Sequence, residues 1–326
     1  MDVQYSLAAE TAAVISEITA LKAYFHKKTV KDIDVRGKRV LVRVDFNVPL
    51  KDGQVEDDSR IKAALPTIYY LRTQDAKIIL ASHLGRPKEV EAKFRLQPVA
   101  ARLSALLGIK VKTVTKTVTS EVEKAVAELK PSEVLLLENL RFNPGEAAND
   151  PEFAQKLASL ADVNDAFGAA HRSHASTVGV TKYLPAVAGL LLEKEVSVLN
   201  KLIEAPNRPF VACLGGNKVS DKIGVFRQFL KTVNAILTGG GMCFTFLKAK
   251  GLEVGRSLVE ENQINFALNI MEEAKKQNVS LYLPVDVVVA PEISPNAAYK
   301  VVPVASIPKD WLGLDIGPET VQIYQQ

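Results

Sequence analysis

The chain has 326 residues, with 47% hydrophobic and 24% charged side chains and a formal net charge of +4. This length is more than one hydrophobic core usually serves, so two domains are expected. The small net charge argues against a nucleic-acid partner, and the sequence lacks the run of about 18 apolar residues that a membrane-spanning helix needs. Cys213 and Cys243 lie in apolar stretches and are expected to be buried thiols. The four histidines do not show the spacing of a zinc site.

The first 27 residues have an amphipathic pattern, in which Val14, Ile18, Leu21 and Phe25 recur at helical spacing. Acidic side chains among them are not typical of a signal or transit peptide. We predict a helix over residues 1–27 whose apolar side packs either on its own domain or on a partner.

The rest of the chain alternates short apolar runs with helical patterns. Strands are predicted at residues 39–44, 77–81, 134–137 and near 163, with helices at 60–71, 96–107 and 151–160. A helix over 187–205 ends before Pro206, after which strands at 210–214, 235–237 and 280–283 alternate with helices at 219–230 and 263–277. This order predicts an α/β fold with two doubly wound parallel-sheet (Rossmann-like) domains, at 28–188 and 207–326, joined by a helix at 189–206.

Polar and basic side chains follow several predicted strands, where the carboxyl ends of parallel strands form a ligand-binding edge. They are Asp45, Asn47, His83, Arg86, Arg141 and Arg172, and Arg60 lies at the start of a helix. Any one of these arginines alone is more often a solvated surface residue. Four at equivalent topological positions predict a site for a phosphate or carboxylate group.

A glycine turn and two lysines follow the first strand of the second domain. Gly215 and Gly216 precede Lys218 and Lys222 at a predicted helix start. Glycines let backbone amides approach an anion at a helix N-terminus, and lysines four residues apart share one helical face. The spacing is not that of a Walker motif, so it indicates a phosphate site less specifically. The triplet at 239–241 is either a turn or a flat surface for a nucleotide base.

Seven segments, in this order, resemble the phosphoglycerate kinase family. They are RVDFNVP at 43–49, SHLGRP at 82–87, ENLRF at 138–142, NDAFG and HRSHAST within 164–177, GGNKVSDKIGV at 215–225, GGGM at 239–242 and GLDIGP at 313–318. The ordered set is far more specific than any one segment. A dinucleotide-dependent oxidoreductase is a poor alternative, because no G-x-G-x-x-G follows a first strand with an acidic residue further along.

The resemblance implies a two-domain hinge enzyme of glycolysis that transfers a phosphoryl group between 1,3-bisphosphoglycerate and ADP, giving 3-phosphoglycerate and ATP, with Mg²⁺ as cofactor. It implies a phosphotransferase with a carboxyl group as acceptor, a cytoplasmic location and a monomer. The phosphoglycerate would be bound by Asp45, Asn47, Arg60, His83, Arg86, Arg141 and Arg172. The nucleotide would be bound by Gly216, Lys218, Lys222, Gly239, Gly240, Gly313 and Leu314, with Arg60 and Lys218 acting on the transferring phosphoryl group.

The largest departure from the family pattern is at the end of the sequence. The segments W-N-G-P-x-G-x-F-E and G-G-G-D-[ST] do not follow, and in the family the Glu of the first binds the ribose and the Asp of the second helps to hold Mg²⁺. We therefore expect an incomplete nucleotide-binding domain, no metal-binding residue in this chain, and an open strand edge that favours association with another chain. Two functions are consistent with this pattern. One is an active phosphoglycerate kinase, and the other is an inactive derivative that binds 3-phosphoglycerate or acts as an interaction module.

Overall fold

The computed structural model describes residues 21–166 and 172–326, with the backbone alone described over 163–166. Most of the predicted N-terminal helix, residues 1–20, lies outside this range. Residues 21–27 contain a short 3-10 helix, Lys22–Tyr24, and the backbone of Phe25 is extended. The predicted helix therefore does not reach Phe25.

Contacts divide the chain into two compact units, one ending at Lys201 and the other running from Leu202 to Gln326. The main strands of the first unit are β1 (Arg39–Arg43), β4 (Lys77–Ala81), β5 (Lys112–Thr113), β6 (Val134–Leu136), β7 (Val163–Ala166) and β8 (Ala186–Val187), and a separate hairpin pairs β2 (Leu50–Lys51) with β3 (Gln54–Val55). The six main strands form one sheet in the order β5-β6-β4-β1-β7-β8, with every neighbouring pair parallel.

Two hydrophobic clusters, one on each face of this sheet, pack it against helices. Val40 and Val42 of β1 belong to one cluster and Leu41 to the other, as the two-residue period of a strand requires. The helices of this unit are α1 (Ser59–Thr73), α2 (Gln97–Leu107), α3 (Ser120–Ala127), α4 (Pro144–Ala148) and α5 (Pro151–Ala158), followed by α6 (Leu190–Glu204), which runs across the boundary between the units. Because both faces of the sheet are buried, its central strands are continuous apolar runs, which is the pattern that the sequence shows.

The second unit contains two small sheets. Its strands are β9 (Val211–Leu214), β10 (Ala235–Thr238), β11 (Ser280–Tyr282), β12 (Asp286–Ala290), β13 (Lys300–Pro303) and β14 (Leu312–Ile316), and its helices are α7 (Ile223–Phe229), α8 (Met242–Ala249), α9 (Ile264–Lys276) and α10 (Pro318–Gln325). The order β11-β10-β9 is parallel, as predicted, whereas β13-β12-β14 is antiparallel. The antiparallel sheet was not predicted, although residues 287–290 of its central strand β12 form a mostly buried apolar run; β13 is mostly exposed.

Strand β9 lies at an edge of the parallel sheet, where Val211 is 44% exposed and Cys213 is also exposed. The prediction of two buried thiols is therefore wrong for Cys213. It is correct for Cys243 in α8, where burial raises the pKa of the thiol to about 12. Within the described part of the chain, no helix has the length and apolar character needed to cross a membrane.

Candidate active site

The loops that follow β1, β4 and β6 are joined at the carboxyl edge of the parallel sheet. Asn47 Oδ1 accepts a hydrogen bond from the Gly85 amide at 2.8 Å, and the Arg141 guanidinium donates to the Gly85 carbonyl. Gly85 has a φ of +62°, and a Cβ at this position would lie 2.3 Å from the Phe94 ring. This loop therefore needs glycine at position 85, and the Gly85 peptide is fixed on both sides directly before Arg86.

Asn139 fixes the same loop from the protein interior. Its Nδ2 donates to the carbonyls of Leu84 and Phe94 at 2.8 and 2.9 Å, and its Oδ1 accepts from the amides of Leu84 and Arg141 at 3.2 and 3.1 Å. Asn139 is fully buried, so these bonds satisfy its side-chain amide. The asparagine of the ENLRF segment thus holds the backbone that carries Arg141.

The predicted arginines gather around these loops. Burial, together with the nearby charges of Arg172 and Arg86, holds the pKa of Arg141 below its ordinary value. Arg60, at the start of α1, is more exposed and donates to Asp45 at 2.5 Å. Neighbouring guanidinium groups favour a bound anion, because a phosphate or carboxylate relieves the repulsion between their charges and accepts hydrogen bonds from them.

A buried set of polar side chains adjoins His83, and its members were not predicted from the sequence. Arg43 Nη2 lies 3.0 Å from His83 Nδ1, and Arg43 Nε donates to Ser176 Oγ at 2.8 Å. Ser176 Oγ in turn donates to the buried carboxylate of Glu146 at 2.6 Å. Burial, followed by the charges of nearby arginines, lowers the pKa of His83 to about 2. His83 is therefore neutral in this site at physiological pH.

The sequence indicates the burial of one of these residues. Arg43 stands in the otherwise apolar strand run Val40 to Val44, and a charge inside a buried strand requires a partner. Glu146 lies in the five-residue helix α4, which shows no apolar pattern, so its burial follows from tertiary packing alone. His174 is also close, with Nδ1 3.6 Å from Glu146 Oε1, beyond hydrogen-bond distance.

In the second unit, the glycine turns after β9 and β10 are in contact. The Met242 amide donates to the Gly216 carbonyl at 2.8 Å, and a Cβ on Gly240 would lie 3.0 Å from the Gly216 backbone. A Cβ on Gly239 would lie 3.6 Å from Ile316 of β14. The structure thus brings together the strand and turns that carry the predicted nucleotide-binding residues Gly216, Gly239, Gly240, Gly313 and Leu314.

The predicted anion-binding helix start differs from expectation. A 3-10 helix, Ser220–Lys222, precedes α7, and Lys218 lies before it, so the two lysines do not share an α-helical face. The carboxylate of Glu260 accepts hydrogen bonds from the amides of Val219 and Ser220 at 2.5 and 3.0 Å. A carboxylate of the protein itself therefore occupies the amides of Val219 and Ser220.

Gly313 is required by packing. A Cβ at this position would lie 2.0 Å from the Phe244 ring, and the Gly313 amide donates to Ser257 Oγ at 2.9 Å. The other predicted side chains of this unit remain accessible, with Lys218 and Leu314 exposed and Lys222 half-buried. They are free to contact a ligand on this surface.

Across residues 21–166 and 172–326, no group of three or more His, Cys, Asp or Glu side chains could hold a metal ion. A Mg²⁺ ion that accompanies a nucleotide keeps water and phosphate ligands but still takes one or two carboxylates. The roles assigned below are those of the protein side chains alone.

Comparison with known proteins identifies the family. The family model for phosphoglycerate kinase matches residues 30–326. The chain belongs to the phosphoglycerate kinase family. It is 53% identical over 305 residues to the phosphoglycerate kinase of Dictyoglomus turgidum, covering 92% of this chain and 77% of that protein. It is 57% identical over 301 residues to the enzyme of Moorella thermoacetica, covering 91% of this chain and 77% of the relative.

Solved structures of the family share the fold. The phosphoglycerate kinase of Coxiella burnetii superimposes with a TM-score of 0.78 at 40% identity, covering 91% of this chain and 76% of that one. That of Pyrococcus horikoshii gives a TM-score of 0.73 at 31% identity, with coverage of 91% and 77%. The predicted family, α/β fold class and phosphotransferase class are confirmed by these matches.

Proposed function

We propose that this chain is a cytoplasmic enzyme that reversibly transfers a phosphoryl group between 1,3-bisphosphoglycerate and ADP, giving 3-phosphoglycerate and ATP. The observation that carries the proposal is the group of arginines around neutral His83 at the carboxyl edge of the first sheet. Such a group suits a ligand with a phosphate at one end and a carboxyl group at the other. Membership of the phosphoglycerate kinase family supports the same substrate.

In the first unit, we assign Arg86, Arg141 and Arg172 to the phosphate and carboxylate of the phosphoglycerate. Arg60 meets the migrating phosphoryl group, and Asp45 holds the Arg60 guanidinium through their 2.5 Å contact. Phosphoryl transfer needs charge stabilisation and in-line positioning and little covalent help, so guanidinium groups suffice for this role.

Asn47 and His83 bind the phosphoglycerate as hydrogen-bonding groups in this proposal. Asn47 Oδ1 is used by the Gly85 amide, so its Nδ2 is the group that can donate to a ligand oxygen. Neutral His83 likewise contributes a donor, since its Nδ1 faces Arg43.

In the second unit, we assign Lys218 to the transferring phosphoryl group and Lys222 to the other nucleotide phosphates. Gly216 is exposed and Gly239 and Gly240 are half-buried where their turns meet. Strand β14, with Gly313 and Leu314, adjoins those turns. A flat base can lie against backbone that no side chain covers. This supports an adenosine site there.

The test is a kinetic assay of turnover in both directions, ATP consumption in the presence of 3-phosphoglycerate and ATP formation from 1,3-bisphosphoglycerate and ADP. Calorimetric titration measures the binding of each ligand alone. We expect turnover, binding of 3-phosphoglycerate and binding of magnesium–ATP. Binding of 3-phosphoglycerate without turnover or nucleotide binding would instead support the inactive derivative. Failure to bind 3-phosphoglycerate would overturn the proposed function and would leave, of the alternative, only the interaction module. Lys112→Ala is a suitable control, since its partner is Glu133 and it is not among the proposed ligand-binding residues.

A further inference from the structure

Arg43 directs its donors to separate acceptors in the protein interior. Its Nε donates to Ser176 Oγ at 2.8 Å, its Nη1 donates to the Val44 carbonyl, and its Nη2 faces His83 Nδ1 at 3.0 Å. Only 1% of the Arg43 side chain is exposed. The guanidinium is therefore held in one orientation by the protein and is not available to reach a ligand in the solvent.

This contact fixes the tautomer of His83. A guanidinium has only donors and stays protonated in proteins, so a nitrogen in contact with it must offer a lone pair. His83 Nδ1 is therefore unprotonated, and the single proton of the neutral ring is on Nε2. A second proton is opposed by burial and by the groups whose charges face the ring, which are Arg43, Arg141, Arg172 and His174.

The orientation of Arg43 depends on Ser176 and Glu146. The Ser176 hydroxyl has one hydrogen, which it donates to Glu146 Oε1 at 2.6 Å, so its lone pairs are left for Arg43 Nε. The Ser176 amide also donates to Glu146 Oε2 at 3.0 Å, and Glu146 is completely buried. The carboxylate therefore sets the direction of the Ser176 hydrogen, and the Ser176 oxygen in turn holds the guanidinium in the orientation that places Nη2 against His83 Nδ1.

We propose that Glu146, Ser176 and Arg43 are positioning residues that hold His83 as the neutral Nε2–H tautomer, so that His83 offers a bound anion a hydrogen-bond donor and not a further positive charge. The identity of that anion as 3-phosphoglycerate rests on the proposed function. The tautomer itself does not, because it follows from contacts within the free protein. A fixed donor also selects for ligand oxygens that accept hydrogen bonds.

The direct test is the imidazole nitrogen spectrum of the free, ¹⁵N-labelled full chain. The chain has four histidines, and His83→Gln identifies the signal of interest by its loss. We expect Nδ1 of His83 to show the shift of an unprotonated nitrogen and Nε2 that of a protonated one, without change between about pH 8 and pH 5, where an ordinary histidine titrates. A His83 that titrates in this range, or that carries its proton on Nδ1, overturns the proposal.

Variants at Ser176 separate positioning from simple support of the fold. Ser176→Ala removes the hydroxyl that orients Arg43, so the His83 signal should show a mixture of the two tautomers. Binding of 3-phosphoglycerate should become about fivefold to tenfold weaker, which is the effect of losing one hydrogen bond. Ser176→Thr keeps the hydroxyl and should restore the wild-type spectrum. Ser173→Ala, at an exposed serine in the same segment, is the matched control and should change neither.

The two proposals can fail separately. If wild-type protein shows the expected His83 tautomer but binds no 3-phosphoglycerate, the proposed function is wrong and the positioning set stands. If Ser176→Ala leaves the His83 spectrum unchanged, the positioning role of Ser176 is wrong whatever the ligand. If Ser176→Ala does not fold, the wild-type tautomer and its pH dependence still decide whether His83 is held as we propose.

Discussion

At the scale of single residues, exposure separates two kinds of charged side chain in the first unit. The Arg60 side chain is 52% exposed and pairs with Asp45, and such a surface pair adds little to stability. Arg43 and Glu146 are buried, with 1% and 0% of their side chains exposed. Removing one member of a buried pair leaves an uncompensated charge inside the protein. Substitution of Arg60 should therefore change activity and not stability, and substitution of Arg43 or Glu146 should change stability.

Arg60→Ala should therefore lower kcat strongly and leave the melting temperature nearly unchanged. We expect kcat to fall by about 10² to 10³, the usual effect of losing one group that stabilises transition-state charge. Steady-state kinetics and calorimetry on the same sample check both parts. Arg102→Ala, which breaks another exposed pair with Asp58, is the control and should retain wild-type kcat. An Arg60→Ala enzyme with normal kcat would remove Arg60 from its proposed role.

Glu146→Gln tests the buried member of the network. The amide keeps the shape of the side chain but leaves the Arg43 charge without its counter-charge, so the free energy of unfolding should fall by about 3–5 kcal/mol. Urea unfolding followed by circular dichroism measures this loss. Glu152→Gln breaks an exposed pair with Lys156 and should change stability by less than about 0.5 kcal/mol. Equal effects in the two variants would contradict the distinction between buried and exposed pairs.

At the scale of elements, close packing in the second unit depends on glycine in β14. Gly313→Ala would place a methyl group 2.0 Å from the Phe244 ring. We expect a loss of about 1–3 kcal/mol in the free energy of unfolding, the usual cost of overpacking. Trp311, the one tryptophan of the chain, lies two residues away and reports the transition by fluorescence. Gly224→Ala in α7 meets no atom within 4 Å and should be neutral or stabilising.

The attachment of α10 should depend on pH through Asp286. Burial acts to raise the pKa of this carboxyl, but hydrogen bonds from the Thr320 hydroxyl and from the amides of Thr320 and Glu319 prevail and hold the pKa below its ordinary value of 3.8. A depressed folded pKa means that the ionised group stabilises the fold at neutral pH and that this contribution is lost as the pH falls through the folded pKa.

Asp286→Asn should accordingly destabilise the second unit at pH 7 by about 1–3 kcal/mol, since the amide replaces one of the two acceptor oxygens. The difference from wild type should shrink as the pH falls below 3.8, the ordinary pKa of the carboxyl, and vanish below the lower pKa that it has in the folded protein. Trp311 fluorescence during urea unfolding at several pH values measures both effects. Asp310→Asn, at an exposed residue nearby, should show neither. A difference that grows towards acid pH would contradict the assigned role of Asp286.

How far the sequence predicted these elements depended on how each one is buried. The central strands of the first unit are buried on both faces, so their apolar runs gave β4 at its observed bounds and β1 and β6 to within one residue. Helix α4 gains its position from tertiary contacts and shows no apolar pattern, whereas residues 287–290 of β12 form an apolar run that the prediction did not include. The same holds for the site. The arginines at strand ends follow from topology, whereas the burial of Glu146 and the capping of Val219 by Glu260 depend on side chains that are distant in sequence.

At the scale of the whole molecule, the two units each have their own hydrophobic clusters, and the predicted ligand groups divide between them. The cations assigned to the phosphoglycerate all lie before residue 202, and the lysines assigned to the nucleotide lie after it. A ligand that binds only the folded state stabilises it by about 2.7 kcal/mol at one hundred times its Kd. Stabilisation by 3-phosphoglycerate should therefore depend on the first unit alone.

Lys218→Ala is the sharpest test of this division. Lys218 is exposed and belongs to the second unit, so its loss should lower kcat strongly and leave the affinity for 3-phosphoglycerate within about twofold, because the arginines of the first unit are untouched. Arg141→Ala, in contrast, should weaken the binding of 3-phosphoglycerate. It should also abolish the protection against hydrogen exchange that bound 3-phosphoglycerate gives to the loops at 82–87 and 138–142. Because Lys218→Ala changes no cation of the first unit, a large loss of 3-phosphoglycerate affinity in this variant would contradict the assignment of the phosphoglycerate to the first unit and the nucleotide to the second.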